Sequence, residues 1–226
     1  MVDKEDFNCN SDITKEKIKE FSSIVHTMRH DIRNYIAAIE GYSYLLKEEF
    51  NEDYLTRIFS NIENINNLVD RSVLLADAEL EIDKITEIDL NVLIKACDEI
   101  IPDTIAFRNN KLLKVKGDYS KILHIFKSLL DNAVVHGKAT TIEIRGISGQ
   151  NGIYIIQIMN DGIKIPKEKV ENLFTQLPQS LKPSSGLNLI ISNKIARAHK
   201  WELQYNDTIQ DKTCFELHIP ESSIIG

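Results

Sequence analysis

Six consecutive residues, Arg29-His30-Asp31-Ile32-Arg33-Asn34, hold the side chains best placed for chemistry. A histidine is followed at once by an acid, and an amide stands four positions after the histidine. On a helix, positions i and i+4 share a face, one turn apart. An imidazole flanked by a carboxylate and a small polar group can hold a neutral ring nitrogen toward an incoming phosphoryl group. Only the neutral ring is a nucleophile near neutral pH. A solvated helix face carrying an incidental His-Asp pair is the plainer reading of the same residues, and this segment alone does not choose between them.

Three later stretches carry residue types suited to a nucleotide. Gly117-Asp118 opens a helical pattern that contains Ser128-Leu129-Leu130-Asp131-Asn132-Ala133 and then Val134-Val135-His136-Gly137. An asparagine beside a nucleotide pocket can lend its carbonyl oxygen to Mg²⁺, a hard cation. A strand then runs into Asn160-Asp161-Gly162-Ile163-Lys164-Ile165-Pro166. Glycine at a strand end lets a flat base approach the backbone, and a side-chain acceptor there can take a hydrogen bond from an exocyclic amine. Last, Ser184-Ser185-Gly186-Leu187-Asn188-Leu189 is a small-residue loop opening a helix, where backbone N–H groups can face phosphate. Taken singly, Asn132 reads equally as a satisfied buried amide, Gly162 as a turn and Ser184-Ser185-Gly186 as a helix cap.

The elements that must position these groups follow from periodicity. Residues 1–11 are polar and read as a flexible tail, and Ser11-Asp12 can cap a helix running to about Glu49. Its apolar positions, among them Met28, Ile32, Tyr35, Ile39 and Tyr42, step by three or four and form one narrow seam. Asn51-Glu52-Asp53 breaks the pattern, and a second helix carries Leu55, Ile58, Ile62, Ile65 and Leu68 on one side. The short connection predicts an antiparallel hairpin over residues 12–84. Two such helices do not enclose a core, so either a second copy completes a four-helix bundle or the hairpin docks on the rest of its own chain. Over residues 85–226 strand and helix signals alternate. Helices are predicted at Leu90–Ile101, Tyr119–His136 and Leu187–His199, with strands at 111–116, 140–145, 152–159, 201–205 and 214–219. The fold class is therefore α+β, a helical hairpin followed by an α/β sandwich.

Composition removes several function classes. A net charge of −7 and a pI near 5.4 leave no basic stripe for nucleic acid. Cys9, Cys97 and Cys214 are odd in number and widely spaced, which fits free thiols in a reducing cytoplasm. No run of 18 apolar residues occurs, so no direct membrane insertion is expected.

In order and spacing, these motifs resemble the two-component sensor histidine kinases over about residues 12–220. Residues 29–34 look like the phosphoacceptor box, 117–137 the N box, 160–166 the first glycine box, Leu173-Phe174 the phenylalanine box and 184–189 the second glycine box. The resemblance implies a dimeric phosphotransfer hairpin and an ATP-binding domain of the kind shared with gyrase and the Hsp90 chaperones. It also implies ATP and Mg²⁺ as cofactors, autophosphorylation of His30 and transfer to an aspartate of a response-regulator receiver domain. On the matching positions, Asp31 would be the base or orienter of His30, and Asn34 would position water when the regulator is dephosphorylated. Asn132 would hold the metal, His136 would border the pocket, Asn160 would face adenine beside Gly162, and Gly186-Leu187 would open the helix after the nucleotide lid. Departures concentrate in the ATP boxes. Ser128 replaces the first N-box asparagine, Val135 a basic residue, Asn160 the adenine aspartate, Lys164 the second glycine, and Ser184 and Asn188 further glycines. An amide at position 160 still accepts from the adenine amine. Because the histidine box is intact and the ATP boxes are not, two readings stand: an ATP-dependent histidine kinase, or an ATP-independent histidine phosphotransferase or scaffold with a vestigial nucleotide domain.

Overall fold

The computed structural model describes residues 4–76, 82, 84–175 and 187–225. It divides into two compact units, residues 1–78 with 178–187 and residues 79–177 with 188–226.

The first unit is the helical hairpin. Helix α1 (Lys4–Glu48) packs against α2 (Glu52–Ala76). Its start corrects the expected one: the helix begins at Lys4, so Ser11-Asp12 lie inside it and not at its cap. Nothing between Lys4 and Glu40 is glycine or proline, and polar residues inside a helix cost only tenths of a kcal/mol each, about 0.7 at most. Asn51 makes the turn. Its side-chain oxygen accepts from the Asp53 N–H at 2.8 Å and its carbonyl from the Tyr54 N–H at 3.2 Å. Near that end the Tyr42 and Tyr54 rings lie 5.9 Å apart, and the Arg57 guanidinium sits 5.7 Å from the Tyr42 ring while bonding Asp53 at 2.8 Å. Among the described side chains of α1 and α2, Asp31, Leu68 and Ser72 alone are buried. Counted from the turn, Asp31 and Leu68 stand at about the same height and Ser72 one turn beyond, because residues equidistant from an antiparallel turn lie side by side.

The second unit holds two sheets. Strands β1 (Thr86–Asp89), β3 (Lys114–Gly117) and β8 (Ile224–Ile225) form an antiparallel sheet in the order β1-β3-β8. A five-stranded sheet has the order β2-β4-β5-β7-β6, comprising β2 (Ala106–Asn109), β4 (Thr141–Ser148), β5 (Tyr154–Asn160), β6 (Glu202–Tyr205) and β7 (Thr213–Ile219). Only β2 and β4 run parallel in it; the other pairings are antiparallel. Alternation along β4 puts Ile142 and Ile144 in the core and Glu143 and Arg145 on the opposite face. That opposite face carries a polar ladder in register: Arg145 donates to Gln157 at 2.7 Å, and Gln157 donates to Glu216 at 2.6 Å. Burial pulls the Glu216 carboxyl up, but hydrogen bonds from Asn206, Gln157 and His218 outweigh it and hold the group below its usual range.

Helices α3 (Leu90–Lys95), α4 (Tyr119–Asp131), the short α5 (Lys167–Val170) and α6 (Leu187–Ala198) complete this unit's elements. The core is drawn from Ile122, Ile125 and Phe126 of α4, Ile191 and Ile195 of α6, and Ile156, Ile158 and Leu217 of the sheet, each at most 1 % exposed. Helix α3 is shorter than the predicted Leu90–Ile101. The chain tightens at Cys97, whose N–H bonds the Ile94 carbonyl at 2.8 Å, and acidic Asp98-Glu99 would oppose the dipole of a continuing helix. No described helix is long and apolar enough to cross a membrane. Cys97 and Cys214 are buried.

Candidate functional site

His30 stands on α1 with its side chain 70 % exposed, beside an Asp31 side chain that is 2 % exposed. Nδ1 of the ring is 3.3 Å from Asp31 Oδ1 and 3.4 Å from Asn34 Nδ2. Both neighbours address one nitrogen, and the ring satisfies them one at a time. With hydrogen on Nδ1, it donates to Asp31 and leaves the Nε2 lone pair bare. With hydrogen on Nε2, Nδ1 accepts from Asn34 and the outer nitrogen is no longer nucleophilic. The three sequence-chosen residues are thus brought together, and no described residue bonds Nε2. His26, one turn earlier, is exposed and is followed by Thr27 rather than an acid.

The second constellation lies where α4 ends. Asp118 caps α4 by accepting from the Lys121 N–H at 3.2 Å and the Ser120 hydroxyl at 2.7 Å. At the far end, Asn132–His136 widen into a π-turn, closed by the Gly137 N–H on the Asn132 carbonyl at 2.8 Å. Such turns recur at functional sites. The next contact is backbone on backbone. The Ile163 N–H donates to the Gly137 carbonyl at 2.7 Å, and a Cβ at Gly162 would collide with that carbonyl. A Cβ at Gly137 would meet the Ala133 carbonyl at 2.6 Å and Asn160 Oδ1 at 3.0 Å. Glycine is required on both sides of this seam because nothing larger fits.

Asn160 ends β5, paired to Ile142 on one side and Thr213 on the other, and is 4 % exposed. Its Oδ1 accepts from the Gly162 N–H at 3.0 Å. Between them Asp161 fastens the loop to the start of β4, taking the Thr140 N–H at 2.8 Å, the Thr141 N–H at 2.9 Å and the Thr140 hydroxyl at 2.6 Å. Those bonds, the Thr140 hydroxyl first, lower its pKa to about 2. Sequence reasoning passed over Asp161, since its partners are two threonines with no motif of their own.

Ser128 is 4 % exposed and its hydroxyl has no partner among the described residues; the same holds for Asn132 Nδ2 and Asn188 Oδ1. His136 and Val135 are exposed. Lys164 is exposed, with its ammonium 3.5 Å from the Ile209 carbonyl. Phe174 of the phenylalanine box packs edge-on against Phe215, ring centroids 6.4 Å apart. Gly186 lies outside the described residues, and Leu187, fully buried, opens α6. Buried polar atoms lacking partners are unusual in folded proteins, and a polar ligand is one way of satisfying them. The partnerless Ser128 hydroxyl and Asn132 amino group would suit a polar ligand such as a nucleotide, and a metal, if bound, would have to be held by the Asn132 side-chain oxygen, since Nδ2 is a donor.

A model of the His Kinase A (phospho-acceptor) domain matches residues 22–81, and one of the histidine kinase-, DNA gyrase B- and HSP90-like ATPase matches residues 117–223. With both present in this order, over a hairpin and a mixed α/β unit, the chain belongs to the histidine kinase family. Among curated relatives it is similar to sporulation kinase C of Bacillus subtilis (strain 168), 22 % identical over 92 % of this chain and 51 % of that protein. It is also similar to the sensor histidine kinase YkoH of the same organism, 25 % identical over 96 % of this chain and 51 % of that one. The chain thus spans about half the length of the curated relatives it matches. Among solved structures, the Acinetobacter baumannii histidine kinase AdeS matches with a TM-score of 0.68 at 20 % identity, over 86 % of this chain and 98 % of that one. Histidine kinase ThkA, solved in complex with the response regulator protein TrrA, also matches with a TM-score of 0.68, at 21 % identity over 92 % of this chain and 64 % of that one.

Proposed function

We propose that this protein is an ATP-dependent histidine kinase that phosphorylates its own His30 and passes the phosphoryl group to an aspartate of a response-regulator receiver domain. The observation that carries the reading is the exposed His30 ring whose inner nitrogen faces the buried Asp31 carboxylate within the region matching phospho-acceptor domains. Asp31 holds hydrogen on Nδ1, so Nε2 keeps its lone pair and attacks the γ-phosphorus. The new Nε2–P bond forms as the bond from phosphorus to the leaving ADP oxygen breaks, and the positive charge that develops on the ring is shared with Asp31 through the Nδ1 hydrogen. When the metal is bound at Asn132 it neutralises charge on the phosphates. Asn160 and Gly162 seat the base, and Ser128 and His136 line the same pocket. Asn34 draws the ring into the other tautomer and, in the reverse direction, positions the water that dephosphorylates the regulator.

The protein acts as a homodimer. Phe50, Phe59 and Tyr44 of the hairpin are each more than 60 % exposed, and Val25, Ile36 and Ile62 about 40–45 %. A second copy covers such faces in a four-helix bundle. A free, buried thiol at Cys214 fits work in the cytoplasm.

A second reading has its own support. Val135 offers an apolar side chain in place of a cation, so one phosphate contact is missing, and Ser128 and Lys164 replace a further asparagine and glycine of the nucleotide boxes. On that reading the nucleotide unit is vestigial and His30 only relays phosphoryl groups between receiver domains. Incubation with Mg-ATP labelled at the γ-phosphate, with a His30→Gln control, separates the two. Acid-labile label on the wild type alone supports the kinase. Its absence, with labelling of His30 by a phosphorylated receiver domain, supports the relay.

A further inference from the structure

Asn160 is the one polar side chain of the base seat whose chemistry the backbone fixes. Its carboxamide has two ends, an acceptor oxygen and a donor amino group. The oxygen is held by the Gly162 N–H at 3.0 Å, and Gly137 packs so closely that a Cβ there would meet the same oxygen at 3.0 Å. Turning the amide over would set its amino group against the Gly162 N–H, donor against donor. The orientation is therefore locked, and among the described residues nothing accepts from Nδ2. At this position, 4 % exposed, the oxygen already accepts one bond while no described residue takes a hydrogen from the amino group, so a donor is what the side chain chiefly offers a base.

Purines differ at that edge. Adenine carries an amine at carbon 6, itself a donor, while hypoxanthine and guanine carry a carbonyl oxygen there, an acceptor. A carboxylate at position 160 would match the amine; the amide, expected from the sequence to accept from adenine, has its oxygen anchored on Gly162 and so offers its amino group to the 6-oxo oxygen instead. We propose that Asn160 makes this pocket a reader of 6-oxopurine nucleotides, which it binds at least as tightly as adenine nucleotides. The inference rests on the nucleotide-binding reading above and names its substrate class. Discrimination of this kind is large when a site's buried polar group is left facing its own kind, because the unmatched group loses water and gains nothing.

The test is equilibrium binding, by calorimetry, of magnesium ATP and magnesium inosine triphosphate to the wild type and to Asn160→Asp. Inosine triphosphate differs from ATP only in the 6-oxo group and the hydrogen on nitrogen 1. The wild type should bind it as tightly as ATP or more tightly, and Asn160→Asp should shift the ratio toward ATP by about tenfold. A wild type that favours ATP overturns the proposal even where the variant does not fold. A folded variant with an unchanged ratio removes the role from Asn160. Binding of neither nucleotide overturns the proposal together with the nucleotide reading itself, whereas binding of ATP in preference leaves that reading standing.

Discussion

The hairpin and the α/β unit solve opposite problems with similar helices. In the hairpin, three described side chains are buried and the reactive ring is exposed. In the α/β unit, whole rows of isoleucine, leucine and phenylalanine are sealed, and the candidate nucleotide residues are fixed by backbone contacts. On the proposed function, a group that meets macromolecular partners needs access, and its element would leave stability to another copy. A pocket that must hold a small polar ligand needs fixed walls, so its unit carries its own core.

Substitutions in the two regions should break or sharpen this contrast. The largest effect belongs to Phe126→Ala, which empties a site at 0 % exposure and should cost the α/β unit ~3–5 kcal/mol in denaturant unfolding. Phe59→Ala on the hairpin should leave that transition where it is and shift sedimentation toward monomer. If Phe59→Ala instead lowered the α/β unit's transition, the division of labour would be wrong. Glycine-to-alanine changes should differ in sign. Gly162→Ala drives a Cβ into the Gly137 carbonyl and should destabilise the unit by about 1–3 kcal/mol. Gly41→Ala meets nothing within 4 Å and should stabilise α1 by up to ~1 kcal/mol, measured by thermal melting of the same protein.

Acid should also act on one region first. His199 is buried and neutral, its Nε2 accepting the Asp118 N–H at 3.0 Å and its Nδ1 donating to the Ile195 carbonyl at 2.8 Å. Burial lowers its pKa below 6.5, although Ile195 and Asp118 pull the other way. The unfolded chain therefore takes up this proton first, and stability of the α/β unit falls as pH drops below about 6.5. A melting midpoint unchanged from neutral to mildly acid pH, or no flattening of the slope in His199→Gln, would refute that assignment. The smallest effect is at Asp161. Its lowered pKa supplies stability above the ordinary 3.8 that is lost as pH falls through about 2. Because the carboxylate is exposed, Asp161→Asn should cost at most about 1 kcal/mol, read from the acid limb of the same titration.

The histidine box was legible because helix spacing alone fixes which side chains share a face: His30, Asp31 and Asn34 needed no partner from elsewhere. The long central elements were legible too, since Tyr119–His136 and the strands of β4 and β5 repeat their periods cleanly. Strands β1, β2 and β8 were not, being two to four residues long with pairing partners far along the chain. The π-turn at Asn132 escaped because one extra residue per turn leaves no compositional mark. The start of α1 was misread for a related reason. Ser11 and Asp12 are favoured at caps, but a cap needs a helix that stops there, and no residue before them stops it.

The buried level of the hairpin has a dynamic consequence. Backbone amides exchange with solvent through local openings, and the openings are rarest where side chains are sealed. Within one protomer, the stretch around Asp31, Leu68 and Ser72 should exchange its amide hydrogens most slowly, with protection fading toward the Asn51 turn. Among the described side chains of the hairpin, His30 then sits beside the best-sealed level, so its ring can turn while its anchor point stays still.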